Sequence, residues 1–234
     1  MSHAPSYEQR RGELEQYFDR TASKAWEALT SDAPVGRIRA TVRAGRERMA
    51  QALLGYLGDD LTGLRVLDAG CGTGTLSTRM AERGAHVVAI DISQTLVGLA
   101  RERAERDQRT RDIEFHVGDM LDPELGEFDW IVALDSMIHY PAQQLYALLV
   151  QLSARARIGL AFTFIPRTPL LSIMNVVGKA FPRGNRSPDI RPISERTLRE
   201  HLGSAPELQA FGVGRSELIS SGFYTSQSME LRRR

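Results

Sequence analysis

The sequence predicts an α/β fold with a doubly wound, mostly parallel sheet. Two observations predict it. From Arg65 to Pro166 short apolar segments alternate with helical stretches of about ten or more residues, and acids stand where successive apolar segments end, in RVLDAG, HVVAID and HVGD. Crossover helices cover such a sheet on both faces, and its ligands bind outside the carboxyl ends of the strands.

Each element follows from its own pattern. YEQRRGELEQYFDR puts Leu14, Tyr17 and Phe18 on one side of a helix, and Val35 to Leu57 carries a second stripe through Ile38, Val42, Met49 and Leu53; Pro34 and Gly36 separate the two. RVLDAG is the first strand, followed by a helix from Thr75, the strand HVVAID and a helix from Ser93 to Asp107. IEFHVGD and FDWIVALD are the third and fourth strands, Ala142 to Ala154 a helix, and RIGLAFTFIP the fifth strand. After Pro166 the alternation stops. TPLLSIMNVVGKAFPRGNRSPDIRPIS holds a short apolar helix and a loop rich in Pro, Gly and Arg, ahead of a helix from Ser194 to Leu202 and two strands near Glu207 to Ser220 and Phe223 to Arg232. This divides the chain into an N-terminal helical cap (1–60), a core (61–166), an insertion expected to act as a substrate-binding lid (167–205) and C-terminal strands that complete the sheet (206–234).

A chain of 234 residues with 42% hydrophobic and 25% charged residues suits one main globular core. No apolar run reaches the roughly 18 residues of a membrane-spanning helix, and MSHAPSYEQRRGELEQ is too polar for a secretory signal. The cytoplasm is the expected location, with peripheral membrane contact as an open alternative. Cys71 is the only cysteine, which excludes disulfides within the chain and any multi-cysteine zinc site. No cluster of acids or histidines argues for a protein-bound metal. Thirty basic residues against 29 acidic ones make any nucleic-acid footprint local. The one basic concentration, Arg37, Arg39, Arg43, Arg46 and Arg48, shares the helical pattern of Ile38 and Val42 and reads as a solvated helix face.

VLDAGCGTGTL lies between the first strand and its helix, where backbone N–H groups and a helix N-terminus receive an anion. Gly70, Gly72 and Gly74 permit a close approach that side chains would block. Their spacing is G-x-G-x-G, with Thr75 breaking the G-x-G-x-x-G dinucleotide fingerprint, and this weakens a nicotinamide or flavin reading. Asp91, about 20 residues past the loop, stands where an acid accepts hydrogen bonds from two ribose hydroxyls. After the third strand, Asp119 suits an exocyclic amine of adenine, and Ile92 and Met120 would enclose the base.

VLDAGCGTG, AID and GDM, in this order and spacing, resemble the cofactor motifs of the class I S-adenosylmethionine-dependent methyltransferases, over about Leu61 to Pro166. The resemblance implies a Rossmann-like, seven-stranded sheet whose two late strands form an antiparallel C-terminal hairpin. It implies S-adenosylmethionine as cofactor and S-adenosylhomocysteine as product. Gly70, Cys71 and Gly72 would line the methionine carboxylate region, Asp91 would hold the ribose, Asp119 and Met120, with Ile92, would sit by adenine, and Asp68 and Leu134 would be further cofactor-binding residues.

Three further stretches resemble a narrower family, the magnesium-protoporphyrin IX methyltransferases: EQYFDRTASKAWEAL, LDSMIHYP, and FIPRTPLLSIMNVVGKAFPRGNRSPDIRPIS with the ending SGFYTSQSMELRR. This resemblance implies transfer of a methyl to the ring C propionate of magnesium-protoporphyrin IX, giving the monomethyl ester in chlorophyll and bacteriochlorophyll synthesis, with the porphyrin-carrying subunit of magnesium chelatase as a possible partner. A flat, apolar, anionic substrate suits the segment after Pro166. Ile173 and Val177 belong to its apolar helix, with Met137 and Ile138 as further contacts, while Arg183, Arg186 and Arg191 would pair with propionates; a buried helix and a solvated loop are the plain alternatives. At the end of the fourth strand His139 is expected to face the reacting carboxylate, orienting it, keeping it ionised or removing its proton, against a histidine bonded locally beside Tyr140 and Pro141. Tyr17 is the second catalytic candidate. Rival functions are methylation of another small carboxylic acid or a quinone, and a carrier that binds porphyrin and S-adenosylmethionine without catalysis.

Overall fold

The structure, a computed structural model, describes residues 6–19, 36–107, 112–167 and 190–234. Its first helix, α1 (Tyr7–Tyr17), opens on a capping box: the Ser6 hydroxyl accepts the Gln9 N–H at 3.2 Å and the Gln9 side chain accepts the Ser6 N–H at 2.9 Å. There follow α2 (Arg37–Leu57), β1 (Arg65–Ala69), α3 (Thr75–Glu82), β2 (His86–Asp91), α4 (Gln94–Asp107), β3 (Ile113–Val117), β4 (Phe128–Ala133), α5 (Ala142–Ser153), β5 (Ala156–Phe164), α6 (Glu195–Ser204), β6 (Phe211–Ser221) and β7 (Tyr224–Arg233). The seven strands form one sheet in the order β3-β2-β1-β4-β5-β7-β6. β1 to β5 pair in parallel, and β7 runs antiparallel to both β5 and β6. The expected mixed sheet with an antiparallel C-terminal hairpin is therefore present.

Residue alternation explains why both faces are apolar. Val66, Val87, Ala89, Trp130 and Val132 point into one buried cluster, and Leu67, Val88, Ile90, Ile131 and Ala133 into another on the opposite face. A strand two-sided in this way reads as an unbroken apolar run. On the first face α2 buries Leu53, Leu54 and Leu57, while on the second α5 contributes Leu145, Leu148, Leu149 and Leu152. The helix expected over Ser194 to Leu202 covers the sheet through Leu198 and Leu202.

The strand order fixes where a ligand can sit. The chain runs outward from β1 through β2 to β3, then returns to lay β4 against the other side of β1, so the connections leaving β1 and β4 diverge and open a crevice at their carboxyl ends. Ser136 Oγ donates to the Ala69 carbonyl at 2.6 Å and ties those two ends together.

The helix expected between Leu170 and Phe181 lies outside the described residues, and with it Ile173, Val177, Arg183 and Arg186. Both flanks of that segment are fixed. Ile193 N donates to the Ile165 carbonyl at 2.9 Å, Arg167 N to the Ile193 carbonyl at 3.0 Å, and Arg191 N to the Ile138 carbonyl at 2.9 Å. The flanks thus meet beside the turn that carries His139.

Candidate active site

A cavity lies at the diverging strand ends, under α1 and beside α2. Its floor is the glycine turn. Gly70 N and Cys71 N both donate to the Ile90 carbonyl, at 2.8 and 3.0 Å, which draws the turn toward β2. Gly70 adopts φ +87, and a Cβ there would collide with the Ser136 side chain. Glycine is required on both counts. At Gly72, φ +55, an added Cβ would meet nothing within 4 Å, so the backbone here borders open space in the cavity.

Asp91 ends β2 with one oxygen accepting the Gly72 N–H at 2.8 Å and the other the Ser93 N–H at 2.9 Å. Each carboxylate oxygen has about two lone-pair directions. One on each oxygen is therefore taken by backbone, leaving capacity for a diol. Burial pushes the Asp91 carboxyl up, opposed by these backbone donors.

Asp68, deep under the turn, accepts from Ser77 Oγ at 2.6 Å. Burial pushes its carboxyl up to about 7, and the nearby Asp91 charge adds to the rise. A folded-state value above the ordinary 3.8 means that the native protein holds this proton more tightly than the unfolded chain. That contribution to stability is present below about pH 4 and is lost as pH rises through about 7. Asp68→Asn is therefore expected to flatten the decline in ligand-free stability between those limits, by up to about 1.4 kcal/mol per pH unit. Urea unfolding at stepped pH checks it; an unchanged slope in the mutant would remove Asp68 as the cause.

The Cys71 thiol lies in the same wall, and burial holds its pKa well above the ordinary value. It is a small packing group in its neutral form. Ile90, Ile92, Leu96 and Met120 give the far end of the cavity an apolar lining, and Leu14 and Phe18 of the N-terminal segment join it from above.

Asp119 stands between two residues of the cavity lining, Gly118 and Met120, and its carboxylate accepts from the Tyr7 hydroxyl at 2.6 Å, Leu121 N at 2.9 Å and Arg11 Nη1 at 2.7 Å. The acid expected at adenine also anchors α1. Tyr7 also stacks on Tyr140 with ring centroids 5.6 Å apart. Asp19, just beyond α1, accepts from Ser93 Oγ at 2.6 Å and Thr95 N at 3.1 Å, so the N-terminal segment is fixed at both ends.

At the end of β4, Leu134, Asp135, Ser136, His139 and Tyr140 line the cavity. His139 is 5% exposed; its carbonyl accepts from Arg10 Nε at 3.0 Å and its ring meets the edge of Phe18 at 5.7 Å. Met137, expected to touch substrate, is fully buried in the hydrophobic core, within the short 3-10 turn Met137–His139. Ile138 is half-buried outside the lining, and the Arg191 side chain is exposed. Tyr17 packs edge-on against Phe18 at 5.2 Å, and Phe18, not Tyr17, borders the cavity.

A second difference concerns α2. Arg39 and Arg48 are exposed as expected, but Arg43 and Arg46 line the cavity. With Glu47 and Ala50 they fall at positions i, i+3, i+4 and i+7, one stripe of the helix, which periodicity alone read as solvated. Arg79 of α3 joins this wall and binds Glu47 through both nitrogens, at 2.7 and 2.5 Å. Asp135, which sequence reasoning left without a role, receives Arg46. Among the described residues no cluster of His, Cys, Asp or Glu is arranged to hold a metal ion, and no helix is long and apolar enough to cross a membrane.

Comparison with known proteins matches residues 66–159 to the family model "Methyltransferase domain" and residues 133–233 to "Magnesium-protoporphyrin IX methyltransferase C-terminus". The Rhodobacter capsulatus magnesium-protoporphyrin O-methyltransferase is 43% identical over 97% of this chain and 98% of its own length. A chloroplastic magnesium protoporphyrin IX methyltransferase of Arabidopsis thaliana is 29% identical, covering 93% of this chain and 69% of that protein. In structure, the magnesium protoporphyrin IX methyltransferase of Synechocystis crystallised with S-adenosylhomocysteine superposes with a TM-score of 0.84 at 29% identity, over 96% of this chain and all of that one. A fold shared at this level, a glycine-turn cavity and near-complete coverage at 43% identity lead to one conclusion: the chain belongs to the magnesium-protoporphyrin O-methyltransferase family.

Proposed function

We propose that the chain transfers the methyl group of S-adenosylmethionine to the ring C propionate of magnesium-protoporphyrin IX, giving the monomethyl ester in chlorophyll or bacteriochlorophyll synthesis. The observation that carries this reading is the full-length likeness to the Rhodobacter capsulatus enzyme, which extends through 133–233 and so beyond the part of the chain matched by the general methyltransferase model. The cavity supports it: an open-backed glycine turn, a half-buried acid with spare acceptor capacity and an apolar end suit a charged amino-acid tail, a ribose and an adenine in sequence.

S-adenosylmethionine supplies, when bound, an electrophilic methyl on a sulfonium sulfur. The residues have only to bind, align and dry the reactants. On this reading Gly70, Cys71 and Gly72 cradle the amino-acid end, Asp91 accepts the ribose hydroxyls, and Ile92 and Met120 flank the base. A propionate with a pKa near that of Glu, about 4.3, is already a nucleophile at neutral pH. Taking it out of water favours its inert protonated form, which a neighbouring donor or cation opposes. We assign that task to His139, whose buried ring borders the cavity. Leu14 and Phe18 close the cavity and exclude water. Tyr17 is retained as the second candidate at the same wall through its contact with Phe18.

The insertion from 167, whose flanks converge on the His139 turn, is assigned to the porphyrin. Its approach is from the side of Ile138 and Arg191, with Arg183, Arg186 and Arg191 offered to the propionates. The porphyrin-carrying chelatase subunit as partner, supported by the family resemblance, and a cytoplasmic location with peripheral membrane contact complete the proposal. The test is mass spectrometry of magnesium-protoporphyrin IX incubated with the protein and S-adenosylmethionine. A single added methyl on one propionate is expected; binding of both reactants without ester would leave a carrier.

A further inference from the structure

Asp135 is the one described residue other than glycine with positive φ, at +54. Left-handed backbone at a residue with a side chain persists where the surroundings over-determine it, and such outliers cluster at active sites. Here the surroundings are three hydroxyls from two other strands. Asp135 N donates to Thr163 Oγ1 of β5 at 2.7 Å, and the same hydroxyl donates back to Oδ1 at 3.1 Å. From β7, Ser226 Oγ donates to Oδ1 at 3.1 Å and the Tyr224 hydroxyl lies 3.2 and 3.1 Å from the two carboxylate oxygens. Arg46 of α2 pairs with Oδ2 at 2.6 Å. Gly45 makes room for this, since a Cβ there would collide with the Tyr224 ring.

Thr163, Ser226 and Tyr224 are buried, and none of them lines the cavity. What they hold does. Asp135 is the point where the chain leaves β4, and Leu134, Asp135, Ser136, His139 and Tyr140 border the cavity from the turn that follows. That turn has little slack. Ser136 Oγ is tied to the Ala69 carbonyl at 2.6 Å, Tyr140 N closes the 3-10 turn on the Met137 carbonyl at 3.2 Å, and the Ile138 carbonyl accepts from Arg191 N at 2.9 Å. A change of backbone direction at Asp135 is therefore carried to His139. Buried hydrogen bonds that converge on one carboxylate fix its orientation as well as satisfying it, because each donor accepts only a narrow range of angles.

We propose that Thr163, assisted by Ser226 and Tyr224, is a positioning residue for methyl transfer: acting through Asp135, it sets the direction of the turn after β4 and so the place of the His139 ring in the cavity. The inference rests on the reading of His139 as the group that faces the acceptor carboxylate. It gives the left-handed Asp135 a purpose and assigns three buried hydroxyls, none of which touches a reactant, to the rate of the reaction. Thr163 is the sharpest probe, because it alone of the three meets both the backbone and the side chain of Asp135, and its removal leaves the Arg46–Asp135 pair in place.

The test is single-turnover methylation of magnesium-protoporphyrin IX by the parent, Thr163→Val, Thr163→Ser, His139→Ala and the double variant Thr163→Val/His139→Ala, with calorimetry of S-adenosylhomocysteine beside it. Thr163→Val keeps the shape of the side chain and removes the hydroxyl. It is expected to slow methylation about 10- to 100-fold, the scale of a small misplacement at a reacting centre, while S-adenosylhomocysteine affinity stays near the parent's. Thr163→Ser, which restores the hydroxyl, should recover most of the rate. The double variant should be no slower than His139→Ala alone, since a residue that acts through His139 has nothing left to position once the ring is gone. Ser226→Ala leaves Asp135 N paired with Thr163, and it decides by the same comparison, with a smaller loss, should Thr163→Val fail to fold. A parent-like rate in a folded Thr163→Val overturns the proposal, as does a double variant slowed by the product of the two single losses, or an equal loss of donor affinity. A parent that forms no ester refutes the methyl-transfer reading, and a parent-like His139→Ala refutes the role of His139; either result takes this inference with it. A slow His139→Ala beside a parent-like Thr163→Val refutes the positioning alone.

Discussion

Asp91→Ala is expected to weaken S-adenosylhomocysteine binding by about two to four orders of magnitude, since two hydrogen bonds to a charged acceptor contribute roughly 1.5–3 kcal/mol each. The geometry explains why the effect should fall on the ligand. Gly72 N and Ser93 N each occupy one side of the carboxylate, at 2.8 and 2.9 Å, and hold it rigidly toward the cavity. The mutation also removes these two supports, so urea unfolding of the ligand-free mutant belongs beside the calorimetry. A folded mutant with parent-like affinity would take Asp91 out of the ribose site.

The second large effect is expected at His139. His139→Ala should lower the methylation rate by about two orders of magnitude or more, within the range found for positioned acid–base groups, while donor affinity stays near the parent's. His139 borders the cavity beside Phe18, and its backbone is separately held through Arg10, so loss of the ring removes a group from the site without releasing the turn. His139→Phe sharpens the test, because it keeps an aromatic ring against Phe18 and removes the polar nitrogens. If both variants methylate at the parent's rate from about pH 6 to 8, where a histidine ordinarily titrates, the catalytic role is wrong and the residue is local structure.

Most of the frame could be read from the chain itself. Strand and helix segments announced themselves because burial on both sheet faces demands apolar runs and because the crossover helices carry one apolar stripe. The strand expected near Glu207 begins at Phe211, with a short turn started by Pro206 in between. The place of the glycine turn and of Asp91 at the cavity was legible because it depends on backbone shape and on position at a strand end, both local properties. The place of His139 at the cavity was legible in the same way, as a polar group where an apolar strand stops.

The sequence by itself determined the doubly wound sheet, the position of its crevice and the acids and glycines along that edge, since these follow from periodicity and from neighbours a few residues apart. Tertiary structure alone decided which charged side chains meet. Arg43 and Arg46 share a helix and a charge with Arg39 and Arg48, and nothing in their spacing says which side of α2 will face a cavity. Asp119 receives Tyr7 and Arg11 of α1 from 112 and 108 residues away, partners that its place after a strand does not announce. Asp135 gains its partners from α2, β5 and β7, at separations of 89, 28 and 89–91 residues. Such pairings depend on how packed elements are set against one another, because a long charged side chain adds little to the local pattern until a second element comes within hydrogen-bond reach.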